Sequence, residues 1–437
     1  MQLAELRGLT TLLFSQPSRL TEELRRRPSL MLFIANVAAQ SISVGFSPVL
    51  SRLYSPDDFG VLGALNGLVV IAMPLVSLRY ELSIPRAKTE PEAAASLAVT
   101  GVAIAVMSLV CGLATWLVAS TAHGAFIEPL RPFLIFVPLA ACASALFDTL
   151  AMEASRRGLI APLASSKLTQ SGLGVGGQLL LGFMHAGAIG LLIGFVINQA
   201  AGVTRLFREL VLGHKAARVP AWHEIRAAAV EHRAFPLYSS WSSSLEACSR
   251  WALQLLITGL WDPKIGGFIF LSDRIVGRPL MLVGGSLLPV YVAQLSRALR
   301  ETPQRAAAIF ADTLRRQALV TLAWTIGVVV LAPLVFGPLF GAAWNEAVPY
   351  VQVMTVAIAP GSALQPVSHT LQLVGQQRAE SVISVAKVIL ILGALALCHV
   401  QSMSALFTLS VFAALQLLLA VVRLVMYTRA VRSVAAA

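Results

Sequence analysis

Apolar residues along this chain come in long blocks, separated by short polar connections rich in arginine. A helix that crosses a bilayer needs about 20 mostly apolar residues. Twelve blocks are long enough, at 29–50, 60–78, 94–119, 132–155, 162–183, 187–206, 236–259, 265–292, 317–340, 348–372, 380–398 and 404–426. The fifth is the least apolar. It carries Ser171, Gly172, Gly174, Gly176, Gly177 and Gln178, and suits a membrane only when packed inside a bundle. The pattern predicts an all-α, multi-pass membrane protein of about 12 transmembrane helices.

The connections test that count independently, because basic residues accumulate on the cytoplasmic side of a membrane. Arg7, Arg19, Arg25, Arg26 and Arg27 precede the first span. The even-numbered connections of the first half carry Arg79, Arg86, Lys88, Arg156, Arg157, Lys167, Arg205, Arg208, Lys215, Arg218, Arg226 and Arg233. Those of the second half carry Arg297, Arg300, Arg305, Arg315, Arg316 and Arg378, and the tail adds Arg423, Arg429 and Arg432. That places 26 of the 33 basic residues on one side, against Arg52, Arg131 and Lys264 on the odd-numbered connections. Both termini are therefore expected in the cytoplasm. Residues 1–28 read as a cytoplasmic or interfacial segment in which residues 12–14 could lie on lipid, in preference to a cleaved signal peptide.

Composition sharpens the class. Only 12% of residues are charged, 57% are hydrophobic and the mean hydropathy is +0.77. That leaves too little polar surface for a soluble fold. A formal charge of +12 would suggest nucleic acid in a soluble protein; here it marks loops, and no nucleic acid is expected. Cys111, Cys142, Cys248 and Cys398 stand singly in apolar runs, and neither a metal-binding spacing nor a phosphate-binding GxxxxGK[ST] loop occurs. No cofactor and no ATPase activity are expected.

Two stretches match at a shift of 207 positions. Leu53-Tyr54-Ser55-Pro56 ending at Gly60 parallels Leu260-Trp261-Asp262-Pro263 ending at Gly267. Each opens its half on the outer side, six spans apart, so the halves share one orientation. The expected architecture is two six-helix lobes related by a pseudo-two-fold axis along the membrane normal. The expected divisions are an N-terminal segment 1–28, an N-lobe 29–206, a cytoplasmic linker 207–235, a C-lobe 236–426 and a tail 427–437.

Charges inside spans are expensive and mark functional sites or structural pairs. Span 4 holds Asp148, with Glu153 near its end; span 7 holds Glu246 and Arg250; span 8 holds Asp273, Arg274 and Arg278; span 11 holds Lys387. The four cations favour an anionic substrate, and the arginine fork suits phosphate or pyrophosphate. Asp273 and Glu246, with Asp148 behind them, are candidates to exchange a proton or hold sodium. Glu246 and Arg250, four apart, could equally pair with each other.

Ser51-Arg52-Leu53-Tyr54-Ser55-Pro56-Asp57-Asp58-Phe59-Gly60 resembles the first outer hairpin of polysaccharide flippases. Arg79-Tyr80-Glu81-Leu82-Ser83-Ile84-Pro85, Phe235-Pro236-Leu237-Tyr238 and the stretch from Gly267 to Pro279 are similar to motifs of their second, seventh and eighth helices. Arg156-Arg157 followed by Gln170-Ser171 also fits. The resemblance is to Wzx-like oligosaccharide flippases of the multidrug/oligosaccharidyl-lipid/polysaccharide superfamily. It implies translocation of undecaprenyl-pyrophosphate-linked oligosaccharides across a bacterial inner membrane, for O-antigen, capsule or exopolysaccharide. It also implies a central cavity with cationic residues, ion coupling, and a polysaccharide polymerase and chain-length regulator as partners. The positions it carries over are Arg52, Arg79, Glu81, Asp273, Arg274 and Arg278. Arg250 and Lys387 come from the residues alone.

Three rivals differ in what they require. A cation-coupled multidrug exporter of the same superfamily calls for a cavity richer in carboxylates. A polymerase or ligase calls for a catalytic periplasmic loop, and the longest outer connection, about 120–131, is too short to build a domain. A purely structural partner leaves the intramembrane charges unexplained.

Overall fold

The computed structural model describes residues 28–124, 126–212 and 220–436. The interfacial segment, and Lys215 and Arg218 of the linker, lie outside the described residues. No strand occurs among the described residues. Helix α1 is Pro28–Gly45, bent at Phe46 and continued by Ser47–Leu53. Then follow α2 (Pro56–Val76), α3 (Glu90–Thr121), α4 (Phe136–Arg156), α5 (Ile160–Phe183) and α6 (Gly187–Phe207). Helix α7 is Ser240–Leu256 with a π turn at each end, Phe235–Ser239 and Ile257–Trp261. Helix α8 runs from Pro263–Ser272 through a π turn, Asp273–Gly277, into Arg278–Glu301. Four more complete the chain: α9 (Ala306–Phe340), α10 (Val348–Leu364), α11 (Gln377–Val400) and α12 (Ala405–Ala436).

A helix stands at every expected span. Three run well past the expected limits: α8 continues to Glu301 rather than 292, α9 begins at Ala306 rather than 317, and α12 continues through the residues read as a tail. Among the described residues, ten helices are long and apolar enough to cross a membrane by length and composition. The two that fall short are α5, with its Gly, Ser and Gln residues, and α7, with Ser240, Ser242, Ser243, Ser244, Glu246 and Arg250. The linker holds an amphipathic helix, Trp222–Glu231, that packs on α3. The Tyr80 hydroxyl donates to the Ala229 carbonyl at 3.2 Å, docking it against the turn after α2.

Helix α2 is the hub because its sequence is apolar on every side, and such a helix belongs in the interior. Its start is fixed locally. The Ser55 hydroxyl accepts from the Asp58 backbone N–H, the Asp58 carboxylate accepts from the Ser55 backbone N–H at 2.9 Å, and Pro56 opens the first turn. The equivalent position in the second half is built alike. Asp262 accepts from the Lys264 N–H at 2.8 Å, and Pro263 opens α8.

Helix pairings in the first six recur in the second six. Helices α1–α5, α2–α4, α3–α4, α4–α6 and α5–α6 pack together, and so do α7–α11, α8–α10, α9–α10, α10–α12 and α11–α12. The halves meet where α2 lies against α7 and α8. At that crossing the two repeat glycines face each other. A side chain added at Gly60 would collide with the Pro263 carbonyl, and one added at Gly267 with the Pro56 carbonyl. One step further along, Gly63 lies against Phe270, its own counterpart at a shift of 207. Equivalent residues touching reciprocally is what a two-fold axis along the helices produces.

Because the obstruction at Gly60 and Gly267 is backbone, no rotamer change relieves it. Gly60→Ala and Gly267→Ala are each expected to destabilise the protein by about 3 kcal/mol or more, the upper range of overpacking. Gly172→Ala on α5, with open space around it, should change little. Thermal unfolding of the three variants in detergent measures the contrast.

Candidate functional site

The chain's basic connections define one end of the bundle, called here the arginine-rich end. The opposite end is closed by contacts between the halves. The Ser51 hydroxyl donates to the Phe340 carbonyl at 3.0 Å, and Arg52 Nη2 to the Pro338 carbonyl at 2.7 Å. Trp344 Nε1 donates to the Ser51 carbonyl at 2.9 Å. Trp344 is fully buried, its ring edge-on to Phe59 from the first half and Phe268 from the second. Lys264 pairs with Glu346 at 2.7 Å on the rim. The three hydrogen bonds join the α1–α2 hairpin to the α9–α10 hairpin, and the Lys264–Glu346 pair lies within the second half. Arg52 therefore works as a clasp at this end and does not line the polar cavity described next.

Further along the same helices the halves part around a polar cavity of about 270 Å³. Its lining comes from α1 (Asn36, Gln40, Ser43), α5 (Lys167, Gln170, Ser171), α6 (Asn198) and α8 (Arg278). The polarity that makes α5 a weak span thus serves the cavity wall and the packing behind it. Asn198 Nδ2 donates to the Gln170 carbonyl at 3.0 Å across the α5–α6 pair. Lys167 lies 5.7 Å from the Phe147 ring centroid. Gln40 Nε2 is buried with no partner. An unpartnered buried amide beside a polar space calls for a water or a ligand.

The π turn of α8 organises the axial charges. A π turn adds a residue to the helical turn and is frequent at functional sites. Asp273 and Arg278 stay partly exposed, with Arg278 Nε 3.9 Å from Asp273 Oδ2. Arg278 also lies over the Phe270 ring at 5.9 Å. Gly277 leaves room for the Asp273 carboxylate to fold back on its helix. Arg274 is buried instead. It is 5% exposed and donates from Nη2 to the Ser43 carbonyl at 2.7 Å and the Ser43 hydroxyl at 3.0 Å. It sits behind the cavity wall, joining α8 to α1 across the halves, and its Nε has no partner.

The remaining predicted residues fall into two clusters, one per half. In the first, Arg79 pairs with buried Glu81 at 3.3 Å after α2. Asp148 on α4 is within electrostatic reach of Glu81, Lys167 and Arg79. In the second, Glu246 and Arg250 pair at 3.0 Å along exposed α7. Lys387 on α11 feels Arg423, Arg250, Glu246 and Glu380. Arg423 in turn pairs with Glu380 at 3.4 Å. Near the arginine-rich end, buried Glu153 holds Arg156 at 2.7 Å and Arg157, and Glu90 bonds Arg156 at 2.9 Å. That cluster ties the ends of α3 and α4. No group of three or more His, Cys, Asp or Glu able to hold a metal occurs among the described residues.

Reading the sequence missed Lys167, Asn36, Gln40, Asn198, Glu380 and Arg423. The charge pattern groups Lys167 with Arg156 and Arg157 on a connection, although its position falls inside the fifth span, 162–183. The amides carry no charge to draw attention inside an apolar span.

This arrangement is a fold shared with solved membrane transporters. The structure overlays on the lipid II flippase MurJ in its inward closed conformation, with a TM-score of 0.69 at 11% identity, covering 92% of this chain and 87% of that one. It overlays on an inward-facing multidrug resistance transporter of the MATE family with a TM-score of 0.60 at 12% identity, covering 92% and 95%. For an outward-facing MATE transporter the TM-score is 0.52 at 14% identity, covering 92% and 94%. The family model described as "Polysaccharide biosynthesis protein" matches residues 49–349, and the chain belongs to that family. No curated protein sequence matches it.

Accessibility tests the cavity directly. In a background with the four native cysteines replaced by alanine, Asn36→Cys should be modified readily by a water-soluble maleimide. Ser51→Cys, buried in the clasp, should resist it. Mass spectrometry of the purified protein reads both.

Proposed function

We propose that the chain is a flippase that moves undecaprenyl-pyrophosphate-linked oligosaccharide units across a bacterial inner membrane by alternating access, in O-antigen, capsule or exopolysaccharide biosynthesis. The observation that carries this reading is the cavity lining, where Lys167 and Arg278 stand among the amides of Asn36, Gln40, Gln170 and Asn198. Pyrophosphate is met by the cations, and arginine offers it two parallel donors. Sugar hydroxyls both donate and accept, as carboxamides do. Membership of the polysaccharide biosynthesis family supports a carbohydrate cargo.

The positive-inside rule assigns the arginine-rich end, and with it both termini, to the cytoplasm. The clasped end then faces the periplasm. In the proposed cycle the headgroup enters from the cytoplasmic side past Arg250 and Lys387 and docks beside Arg278 and Lys167, while the lipid tail stays in the bilayer. Asp148, Glu81, Asp273 and Glu246 are the proposed coupling carboxylates, for protons or sodium. Each sits near a cation that an anionic headgroup would compete for, which links substrate binding to the charge state of the carboxylate. The Asp148–Glu81 pair also fits a cation-coupled multidrug exporter, and that is the second reading.

Arg250→Ala and Arg278→Ala are each expected to reduce surface glycan at least tenfold in a deletion strain, with normal amounts of the variant in the membrane. Normal glycan export by both would sink the cationic cavity. Raised drug resistance with glycan unchanged would favour the exporter. For topology, reporter fusions after Pro220 should read as cytoplasmic and after Lys264 as periplasmic; the reverse pattern would refute the assignment.

A further inference from the structure

We propose that a groove between α9 and α12 at the arginine-rich end binds an anionic phospholipid, headgroup against Arg315 and Arg432, acyl chain against the apolar floor. The groove encloses about 420 Å³ and is lined by residues of α9 and α12 alone. Its α9 residues include Ala307, Phe310, Ala311, Leu314 and Arg315, one helix face at spacings of three and four. From α12 come Thr428, Val431 and Arg432, spaced the same way. Phe310 and Val431 are buried and form the floor, while both arginines are exposed at the mouth.

Two observations identify the occupant. The first is charge. Neighbouring Arg316 is paired with Asp312 at 3.1 Å. Among the described residues no carboxylate pairs with Arg315 or Arg432. Two unneutralised guanidinium groups converge on one apolar groove, the complement of a phosphodiester carrying a hydrocarbon chain. The second is depth. Counting the ~20 residues that cross a hydrocarbon core from Phe340, at the clasped end of α9, places the far boundary near residue 320. The same count from Ala405 along α12 ends near residue 425. Arg315 and Arg432 then stand about 8–11 Å beyond the hydrocarbon at the ~1.5 Å rise per residue of a helix, and such long side chains reach back to the headgroup layer. Next to the groove, toward the membrane, Leu319 and Leu322 on α9 and Val421 and Val425 on α12 are exposed apolar residues, a path for the acyl chain. A soluble anion would use the arginines and leave the floor bare.

Thermal unfolding of the full chain in detergent tests this with three additives: phosphatidylglycerol, phosphatidylcholine and inorganic phosphate. The expected result is a rise in Tm of several degrees with phosphatidylglycerol and little with the other two. Arg315→Gln combined with Arg432→Gln should lose that rise while keeping the lipid-free Tm, and Arg316→Gln should retain it. Ala311→Trp, which fills the groove and spares both arginines, should lose it too. The proposal is overturned by an undiminished rise in the double variant or in Ala311→Trp. It is equally overturned by loss of the rise in Arg316→Gln, or by an equal rise with phosphatidylcholine or with inorganic phosphate.

Discussion

Two helices can share an axis at backbone distance only where neither has a side chain in the way, and in this protein that place is Gly60 against Gly267. Lipid tails are as apolar as leucine, so helices in a membrane gain little from apolar contact alone, and close packing at small residues takes its place. Here the approach puts each glycine against the carbonyl of the other half's helix-opening proline, Pro56 or Pro263. The rest of the clasped end is arranged around that approach. Phe59 precedes Gly60 and Phe268 follows Gly267, and both turn their rings to Trp344. Trp344 in turn donates to Ser51, whose hydroxyl holds Phe340. Seating α8 on α2 at one end also sets where its π turn falls, and so where Asp273, Arg274 and Arg278 stand relative to α1.

Charge inside an apolar bundle is tolerated only with partners, and the three clusters satisfy that condition in different ways. Arg274 uses the hydroxyl and carbonyl of a single serine and keeps one nitrogen unsatisfied. Arg250 uses a glutamate one turn away on its own helix. Lys167 and Arg278 face a polar space instead. Those last two are the cations that line the cavity, and so the ones best placed to receive an anion there. The basic residues at the helix ends contribute differently. Arg156 and Arg157 gather on Glu153 as architecture, while Arg315 and Arg432 are left over for the membrane.

The fold was legible because its signals are long. A span is about 20 residues of apolar chain, and the alternation of arginine-rich and arginine-poor connections checks the count. The repeat was legible because one constraint, a proline-opened helix with a glycine one turn on, had to be met twice. The site was legible in part. Arg278 and Asp273 announce themselves as charges in an apolar run, yet charge alone does not say which way a side chain points. Arg274 is buried against Ser43 at the lobe interface, while Arg278, four residues on, lines the cavity. The amides of Asn36, Gln40 and Asn198 were silent because a single carboxamide in a span is ordinary until three helices bring several together. Arg52 carried a family motif, and its place in that motif turned out to be the clasp.

The clasp sets the scale of what a transport cycle must supply. Opening the far end exposes Trp344, worth about 3 kcal/mol by the area of a large apolar side chain. It breaks three hydrogen bonds at about 1 kcal/mol each net. The sum is near the ~5.5 kcal/mol that separates a 1:99 from a 99:1 population. On the proposed reading a ligand can reverse that balance only by binding the open form well over ~10⁴-fold more tightly than the closed one. Contacts available equally in both forms contribute nothing to the switch. Arg278 and Lys167 already face the cavity, so they set affinity more than direction. Arg274 is the cation whose surroundings depend on α1 lying against α8, since both of its bonds go to Ser43. If the halves part along that line, a desolvated guanidinium loses its partners and becomes free to take a phosphate in their place. On the proposed reading, a group hidden in one form and available in the other has the differential affinity that alternation requires, which Lys167 and Arg278, open to the cavity already, do not.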